Sequence, residues 1–138
     1  MIEKLKKQFR EIEGDFVDNF KYDKVKYGIV IYYFESMLNN NFLITLNYMG
    51  KNMSYGDSVT GYNFADNCDE EDIENGDYFE NGVMFYLFED DIIVSYDFFY
   101  ECLKLACNIY LESNRSDEKE VEKELEIIKN RYNIDNKL

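Results

Sequence analysis

The chain contains no histidine, and that absence removes much of catalytic chemistry. Ser-His-Asp and Cys-His nucleophile activation both need an imidazole base, and a His-ligated zinc site needs its ring nitrogen. Cysteine is scarce as well: Cys68, Cys102 and Cys107 make an odd count with no CxxC spacing. Two of them fall on a predicted helix, where small buried thiols are common, so all three read as reduced and structural. An intracellular compartment agrees with that usage. The seven glycines form neither a GxGxxG nor a GxxxxGK[ST] phosphate cradle. Long apolar runs are missing too, because Tyr27–Phe34 and Val83–Phe88 fall far short of the roughly 20 residues of a membrane span. The opening MIEKLKKQFREIEGDF has lysines but no apolar h-region or small-residue cleavage site. Neither a membrane partner nor a secretory leader is expected, and the protein reads as cytoplasmic.

Positive charge is absent from one continuous region. Between Lys51 and Lys104 there is no lysine or arginine. The same 52 residues carry 14 carboxylates: Asp57, Asp66, Asp69, Glu70, Glu71, Asp72, Glu74, Asp77, Glu80, Glu89, Asp90, Asp91, Asp97 and Glu101. Residues 1–51 hold eight basic and seven acidic side chains, and residues 104–138 hold seven and eight. The net charge of −14 therefore belongs to the middle of the chain. A chain so acidic, with no basic patch interleaved with aromatics, is repelled by phosphate backbones, which argues against direct nucleic-acid binding. The acidic region has two readings, a solvated surface loop or a docking face for a basic partner.

Apolar residues are plentiful. Of the 138 residues 46% are hydrophobic and 17% aromatic, too many for a disordered acidic chain, so a packed core is expected. The length suits one domain spanning residues 1–138. Ile2, Leu5, Phe9 and Ile12 predict a first amphipathic helix over residues 2–12, interrupted by Gly14 and Asp15. Lys24–Leu38 carries mixed signals. Gly28 and the β-branched Ile29, Val30 and Ile31 permit a strand, but Tyr27, Val30, Ile31, Phe34 and Leu38 share one helical face, and helix is favoured. Asn39-Asn40-Asn41 marks a break, and Phe42–Met49 reads as a short helix or turn. Gly50 to Gly61 reads as loop, Val59–Phe64 as an edge strand, and Asp66–Asn81 as an acidic loop closed by the Asn81-Gly82 turn signal. Gly82–Phe88 and Ile92–Val94 read as a hairpin turned at Glu89-Asp90-Asp91. Ser95 is an N-cap with Asp97 in the first helical turn. Phe99, Cys102, Leu103, Ala106, Ile109 and Tyr110 form that helix's stripe. Asp117 with Glu120 resembles a capping box for a last helix with Val121, Leu125, Ile128 and Tyr132 inward. Lys119/Glu122, Glu120/Lys123 and Glu126/Lys129 pair on its other face. The expected fold class is α+β: N-terminal helices, a small antiparallel sheet and a C-terminal helical hairpin.

The acidic residues suit some chemistries better than others. An EF-hand register with Gly76 at position 6 puts Ile73 at position 3 and Gly82 at position 12, so regular calcium ligation fails. Glycosidase chemistry needs two carboxyls at fixed separation in a cleft, which a crowded, self-repelling loop does not provide. No catalytic residue, cofactor or metal is called for, and irregular calcium coordination by these carboxylates stays open as an alternative that a calcium-dependent melting shift would reveal. Tyr78 and Phe79 sit inside the charge, where an aromatic with acidic neighbours suits a basic partner, although Phe79 equally suits the core.

The stretch YFENGVMFYLFEDDIIVSYDFFYECLKLACNIYL, Tyr78 to Leu111, resembles the ribonuclease-toxin immunity proteins of contact-dependent growth inhibition systems, the CdiI type. The matching pieces are the aromatic-Phe-Glu-x-Gly-Val-x-Phe entry from Asp77 to Phe85, the IIVS segment at Ile92–Ser95 and the helix FFYECLKLACNIYLE. The closing DEKEVEKELEIIKN and the GYNF segment ahead of the acidic residues are similar as well. The resemblance implies a non-enzymatic intracellular antitoxin that binds the basic C-terminal nuclease domain of a cognate toxin and blocks RNA cleavage. The resemblance favours docking over mere solubility without assigning individual carboxylates, and the acidic stretch supplies the candidate toxin-binding residues: Asp66, Asp69, Glu70, Glu71, Asp72, Glu74, Asp77, Tyr78 and Glu80. Two other classes remain open: a phosphate-mimicking inhibitor of some other nucleic-acid-binding protein, and an adaptor whose acidic loop is merely solvating. Oligomeric state is unreadable from the sequence.

Overall fold

Apolar side chains at three- and four-residue spacing set the helices of the computed structural model, which describes residues 13–76 and 78–134. The helix expected over residues 2–12 lies outside the described residues. α1 (Asp15–Asn19) is a short turn of helix that buries Phe16 and Val17. It starts at Gly14, whose φ of 149° favours glycine, and the Glu35 carboxylate fills the space a Cβ would take there. Asp23 then holds the entry to the next helix by accepting the N–H groups of Val25 and Lys26 at 2.9 and 3.0 Å.

α2 (Gly28–Asn39) resolves the mixed stretch as helix, because Val30, Ile31 and Phe34 share a face and are fully buried. It begins at Gly28, four residues after Lys24. The asparagine run ends it, and Asn41 adopts φ 54°, a left-handed conformation asparagine tolerates, before α3 (Phe42–Gly50).

The sheet is antiparallel with strand order β1-β2-β3-β4, comprising β1 (Tyr55–Gly56), β2 (Thr60–Phe64), β3 (Val83–Leu87) and β4 (Asp90–Val94). Two expectations are corrected here. The 59–64 stretch is no edge strand, since β2 pairs with β3 on one side and with the two-residue β1 on the other. The hairpin turns at Phe88-Glu89 rather than at Glu89–Asp91, because Asp90 pairs with Leu87 and Asp91 with Tyr86. Phe88 takes φ 55°, as a two-residue turn matched to strand twist requires. A turn placed one residue later would rotate the inward Ile92 and Val94 to solvent.

Aromatics join the sheet to the helices. Phe34 of α2 meets Phe16 at 5.2 Å between ring centroids and Phe85 at 5.6 Å, and Tyr33 meets Tyr62 at 5.6 Å. Phe99 of α5 (Tyr96–Ser113) meets Phe64 at 5.6 Å. Ser95 caps α5 by accepting the Phe98 N–H at 3.1 Å. Cys102 and Cys107 are free and buried on α5, their thiols pushed up to about 12 by burial, while Cys68 is free and partly exposed. α6 (Glu118–Arg131) returns along α5 as a helical hairpin and packs on α3. Its expected capping box is corrected: the Asp117 carboxylate instead accepts from Tyr110 Oη at 2.6 Å, behind a 3₁₀ turn at Arg115–Asp117. Val121 and Ile128 are fully buried as expected. Glu124 is buried as well, against Gly50, which the sequence pattern did not suggest. Arg131 donates to the Met49 and Gly50 carbonyls and closes the C-terminal end of α3. The fold class is α+β, with helices, a four-stranded antiparallel sheet and a C-terminal helical hairpin.

Candidate functional site

The acidic stretch leaves the sheet at Phe64 and re-enters it at Val83. The two ends of this excursion are tied together, since Ala65 N–H donates to the Gly82 carbonyl at 3.0 Å. Gly82 must be glycine: its φ is 100°, and a Cβ there would strike the Val94 carbonyl oxygen. A 3₁₀ turn at Ala65–Asn67 follows Phe64. Asn67 anchors it by donating to the Asn52 carbonyl and to Ser54 Oγ, both at 3.0 Å. Phe79 is buried and belongs to the core, settling its two readings in favour of packing. Between Asn67 and Phe79 none of the described residues is buried.

The expected loop contains a short helix, α4 (Glu70–Asn75). Its N-cap is Asp69, whose Oδ1 accepts the Asp72 N–H at 3.1 Å, while Asp72 Oδ2 accepts the Asp69 N–H at 2.9 Å. This is a reciprocal capping box built from two aspartates. Gly76, with φ 77°, closes the other end in a left-handed C-cap. Glu70, Glu71 and Asp72 occupy the first turn, where the helix dipole favours negative charge. The readable signal was Asp-Glu-Glu-Asp followed by Asn-Gly, an acidic N-terminus with a glycine stop. Crowded like charges concealed it.

No residue of α4 is buried. Asp66, Asp69, Glu70, Glu71, Glu74 and Glu80 are exposed, and Asp72 is partly so because its carboxylate folds back onto the cap. Asp77 lies outside the described residues. Two apolar side chains join the carboxylates in solvent: Ile73, 58% exposed at the middle of α4, and Tyr78, 48% exposed just before the buried Phe79. Beneath Asp66, Tyr96 and Tyr132 stack with centroids 3.8 Å apart. Burial first, then the negative charge of Asp66, raises the pKa of Tyr96, so its phenol stays neutral below the acidic surface.

The other acidic groups lie elsewhere. Glu89, Asp90 and Asp91 sit at the β3–β4 hairpin, the opposite end of the sheet from the excursion between β2 and β3. Asp57 is at that same far end, in the β1–β2 turn, where its carboxylate accepts the N–H groups of Thr60 and Val59 at 2.9 and 2.8 Å. Those bonds hold its pKa below the ordinary value. Among the described residues, Asp57 is the one acidic side chain lining a cleft of about 380 Å³ between α2 and the β1–β2 turn, and they bring no carboxylate pair to it for acid–base work.

A model of the CDI immunity protein family matches residues 13–125. The chain belongs to that family. The match begins before α1 and ends within α6, so it takes in the whole sheet and the acidic excursion of this CDI immunity protein. It also covers the N-terminal helices from residue 13, well ahead of the Tyr78–Leu111 stretch that carries the resemblance. No curated protein matches the chain. Among the described residues of the immunity protein, no group of three or more Cys, Asp and Glu side chains is arranged to hold a metal ion, and no helix is long and apolar enough to cross a membrane.

Proposed function

We propose that the chain is a cytoplasmic antitoxin that binds the C-terminal ribonuclease domain of its cognate contact-dependent growth inhibition toxin. It neutralises that domain by occupying a basic surface with carboxylates of residues 66–80. Membership of the CDI immunity protein family supports the immunity role and suggests an inhibitor rather than an enzyme. The observation that carries the docking site is α4. Surface helices ordinarily form by burying a stripe, and isolated helices this short are marginal in water. α4 buries nothing and is held by its caps, yet it presents Glu70, Glu71, Glu74 and the apolar Ile73 outward. Such a preorganised acidic element lowers the ordering cost of docking.

A nuclease must hold phosphate on positive charge, so an acidic inhibitor is its electrostatic complement. Steering of this kind raises association towards about 10⁸–10⁹ M⁻¹s⁻¹ at low salt, against about 10⁵–10⁶ for a neutral pair. Exposed charge pairs contribute only about 0.2–1 kcal/mol each, so Ile73 and Tyr78 supply apolar anchors beside them.

The experiment is co-purification with the toxin domain encoded beside the immunity gene, followed by stopped-flow association. Glu70, Glu71 and Glu74 are changed together to glutamine, which leaves the Asp69–Asp72 box intact. Three lost pairs predict a roughly tenfold slower on-rate at low salt, converging with the parent at about 1 M salt, where the Debye length is about 3 Å. An unchanged on-rate with a flat salt dependence removes α4 from the mechanism.

A further inference from the structure

The sheet has two unlike faces. Its inner face carries Tyr62, Phe64, Val83, Phe85, Leu87 and Val94, all buried under α2 and α5. The outer face carries the cross-strand row Asn63, Met84 and Ile93 and, beside it, the row Gly61, Tyr86 and Asp91. Ile93 is 49% exposed there, and Met84 and Tyr86 are partly exposed. Tyr86 lies flat across two opposed glycines, Gly56 and Gly61, whose missing side chains make room for its ring. Its Oη donates to the Asp57 carbonyl at 2.7 Å, which pins the ring against the sheet. The result is a compact apolar patch: Met84 and Tyr86 stand two residues apart on β3, about 7 Å, and Ile93 lies beside Met84 on β4, with the polar Asn63 and Asp91 at its margins.

Charge decides what fits this patch. One end is the acidic excursion with Asp66, α4 and Glu80; the other is the hairpin with Glu89 and Asp91. No lysine or arginine occurs anywhere from residue 52 to residue 103, so nothing in the sheet or its connections offsets these carboxylates. An apolar centre with a polar rim is the anatomy of a protein interface. A second copy of this chain, also at −14, would bring acidic rim against acidic rim, and an anionic membrane surface would be repelled. We propose that the outer face centred on Met84, Tyr86 and Ile93 is the desolvated centre of the interface with the toxin domain. The partner surface it fits is an apolar patch flanked on two sides by lysine or arginine. The inference rests on the antitoxin reading above and extends the docking surface from α4 across the sheet.

Two substitutions at Ile93 test it, with Ile44 as the control. Ile44 is 51% exposed on α3, away from the sheet face. Ile93→Thr keeps strand propensity and charge while removing apolar area, and it is expected to weaken the dissociation constant about tenfold, mainly through a faster off-rate. Ile93→Arg places like charge against the basic partner and is expected to weaken binding by at least about a hundredfold. Ile44→Thr should leave binding unchanged, and thermal melting checks that each variant is folded. If the parent binds the toxin domain and both Ile93 variants bind equally well, the sheet-face assignment is wrong while the antitoxin reading stands. If the parent itself does not bind, the antitoxin reading fails and takes this inference with it. A concentration-dependent dimer abolished by Ile93→Arg in sedimentation equilibrium would mean that a second copy covers the face, which also overturns the assignment.

Discussion

Asp69→Ala asks whether α4 stands on its own caps. The change removes the Oδ1 that accepts the Asp72 N–H at 3.1 Å and leaves the rest of the surface in place. Loss of an aspartate N-cap costs about 0.5–2 kcal/mol, typically about 1. A buried helix absorbs that through its packed face, but α4 has no buried residue. The loss therefore falls on the local helix–coil equilibrium, and about 1 kcal/mol is a roughly fivefold shift toward the open state. Amide hydrogen exchange reads it directly at Ile73 and Gly76, whose N–H groups donate to the carbonyls of Asp69 and Ile73, both at 3.2 Å. Exchange at those two amides is expected to quicken about fivefold, while strand amides such as Phe85 keep their protection. The melting temperature should fall by no more than about 2 °C, because Phe64 and Phe79 hold the ends of the excursion in the core independently of the helix. On the docking proposed above, toxin binding separates the contribution of the cap from that of the charge. Asp69→Ala should raise the off-rate, since the partner must now order the helix, whereas Glu70→Gln removes one charge without touching the cap and should act on the on-rate. Unchanged exchange at Ile73 and Gly76, or a loss of protection that spreads to Phe85, would refute the claim that α4 is an independently capped element.

Two further tests follow from the same geometry. Gly82→Ala places a Cβ on the Val94 carbonyl oxygen at a φ of 100°, and that oxygen belongs to β4 and has little freedom to move. It should cost about 2–3 kcal/mol, a fall of roughly 5–10 °C in Tm by calorimetry. Gly76→Ala, at φ 77° in open space, should cost only about 1–2 kcal/mol and confine its effect to α4; equal global losses would contradict the contact at Val94. Glu124 has its pKa raised above the ordinary 4.5, chiefly by burial, with Lys123 lowering it in part. The folded chain therefore retains a proton that the unfolded chain has released, and this group's contribution to stability is full below pH 4.5 and declines as pH rises through the raised value. Glu124→Gln should flatten that decline in urea unfolding followed from acid to neutral pH, and parallel curves for parent and variant would count against it.

Much of the fold was legible because its periodicities are strong. The α5 stripe from Phe99 to Ala106, the Ser95 cap and the apolar β3 all sit where spacing and capping rules put them. The α2 stretch was legible only through its shared face, since β-branched Ile29, Val30 and Ile31 speak locally for strand and packing on the sheet overrides them. The hairpin turn was misplaced because Glu89-Asp90-Asp91 has turn composition, whereas register is set by which side chains must point inward from β4. Asp117 failed as a cap for a reason no local pattern contains: Tyr110, seven residues back, takes its carboxylate. The acidic surface was visible as composition, but the helix within it was not, because carboxylate crowding reads as repulsion until each group is placed relative to the helix dipole. The bare sheet face was invisible for a different reason. Met84, Tyr86 and Ile93 look like any strand residues until topology shows that α2 and α5 cover only the other side.

That placement also explains how the chain carries its charge without loss of fold. Asp69, Glu70, Glu71 and Asp72 repel one another, yet all four lie at the N-terminal end of α4, where exposed N–H groups and the helix dipole favour each by about 0.3–1 kcal/mol. Two of the four are further tied into the capping box. The repulsion is thus offset inside the segment that creates it, and none of these carboxylates packs into the core. Glu35 shows the contrast, for it is buried, and burial raises its pKa even though the Val17 N–H donates to it at 3.1 Å. A carboxylate brought inside this fold works against the core, while one displayed on α4 is nearly neutral to stability. Surface acidity in this immunity protein is therefore free to be tuned to a partner, and changes confined to Glu70, Glu71 and Glu74 should alter association with the toxin while leaving the folded core as it is.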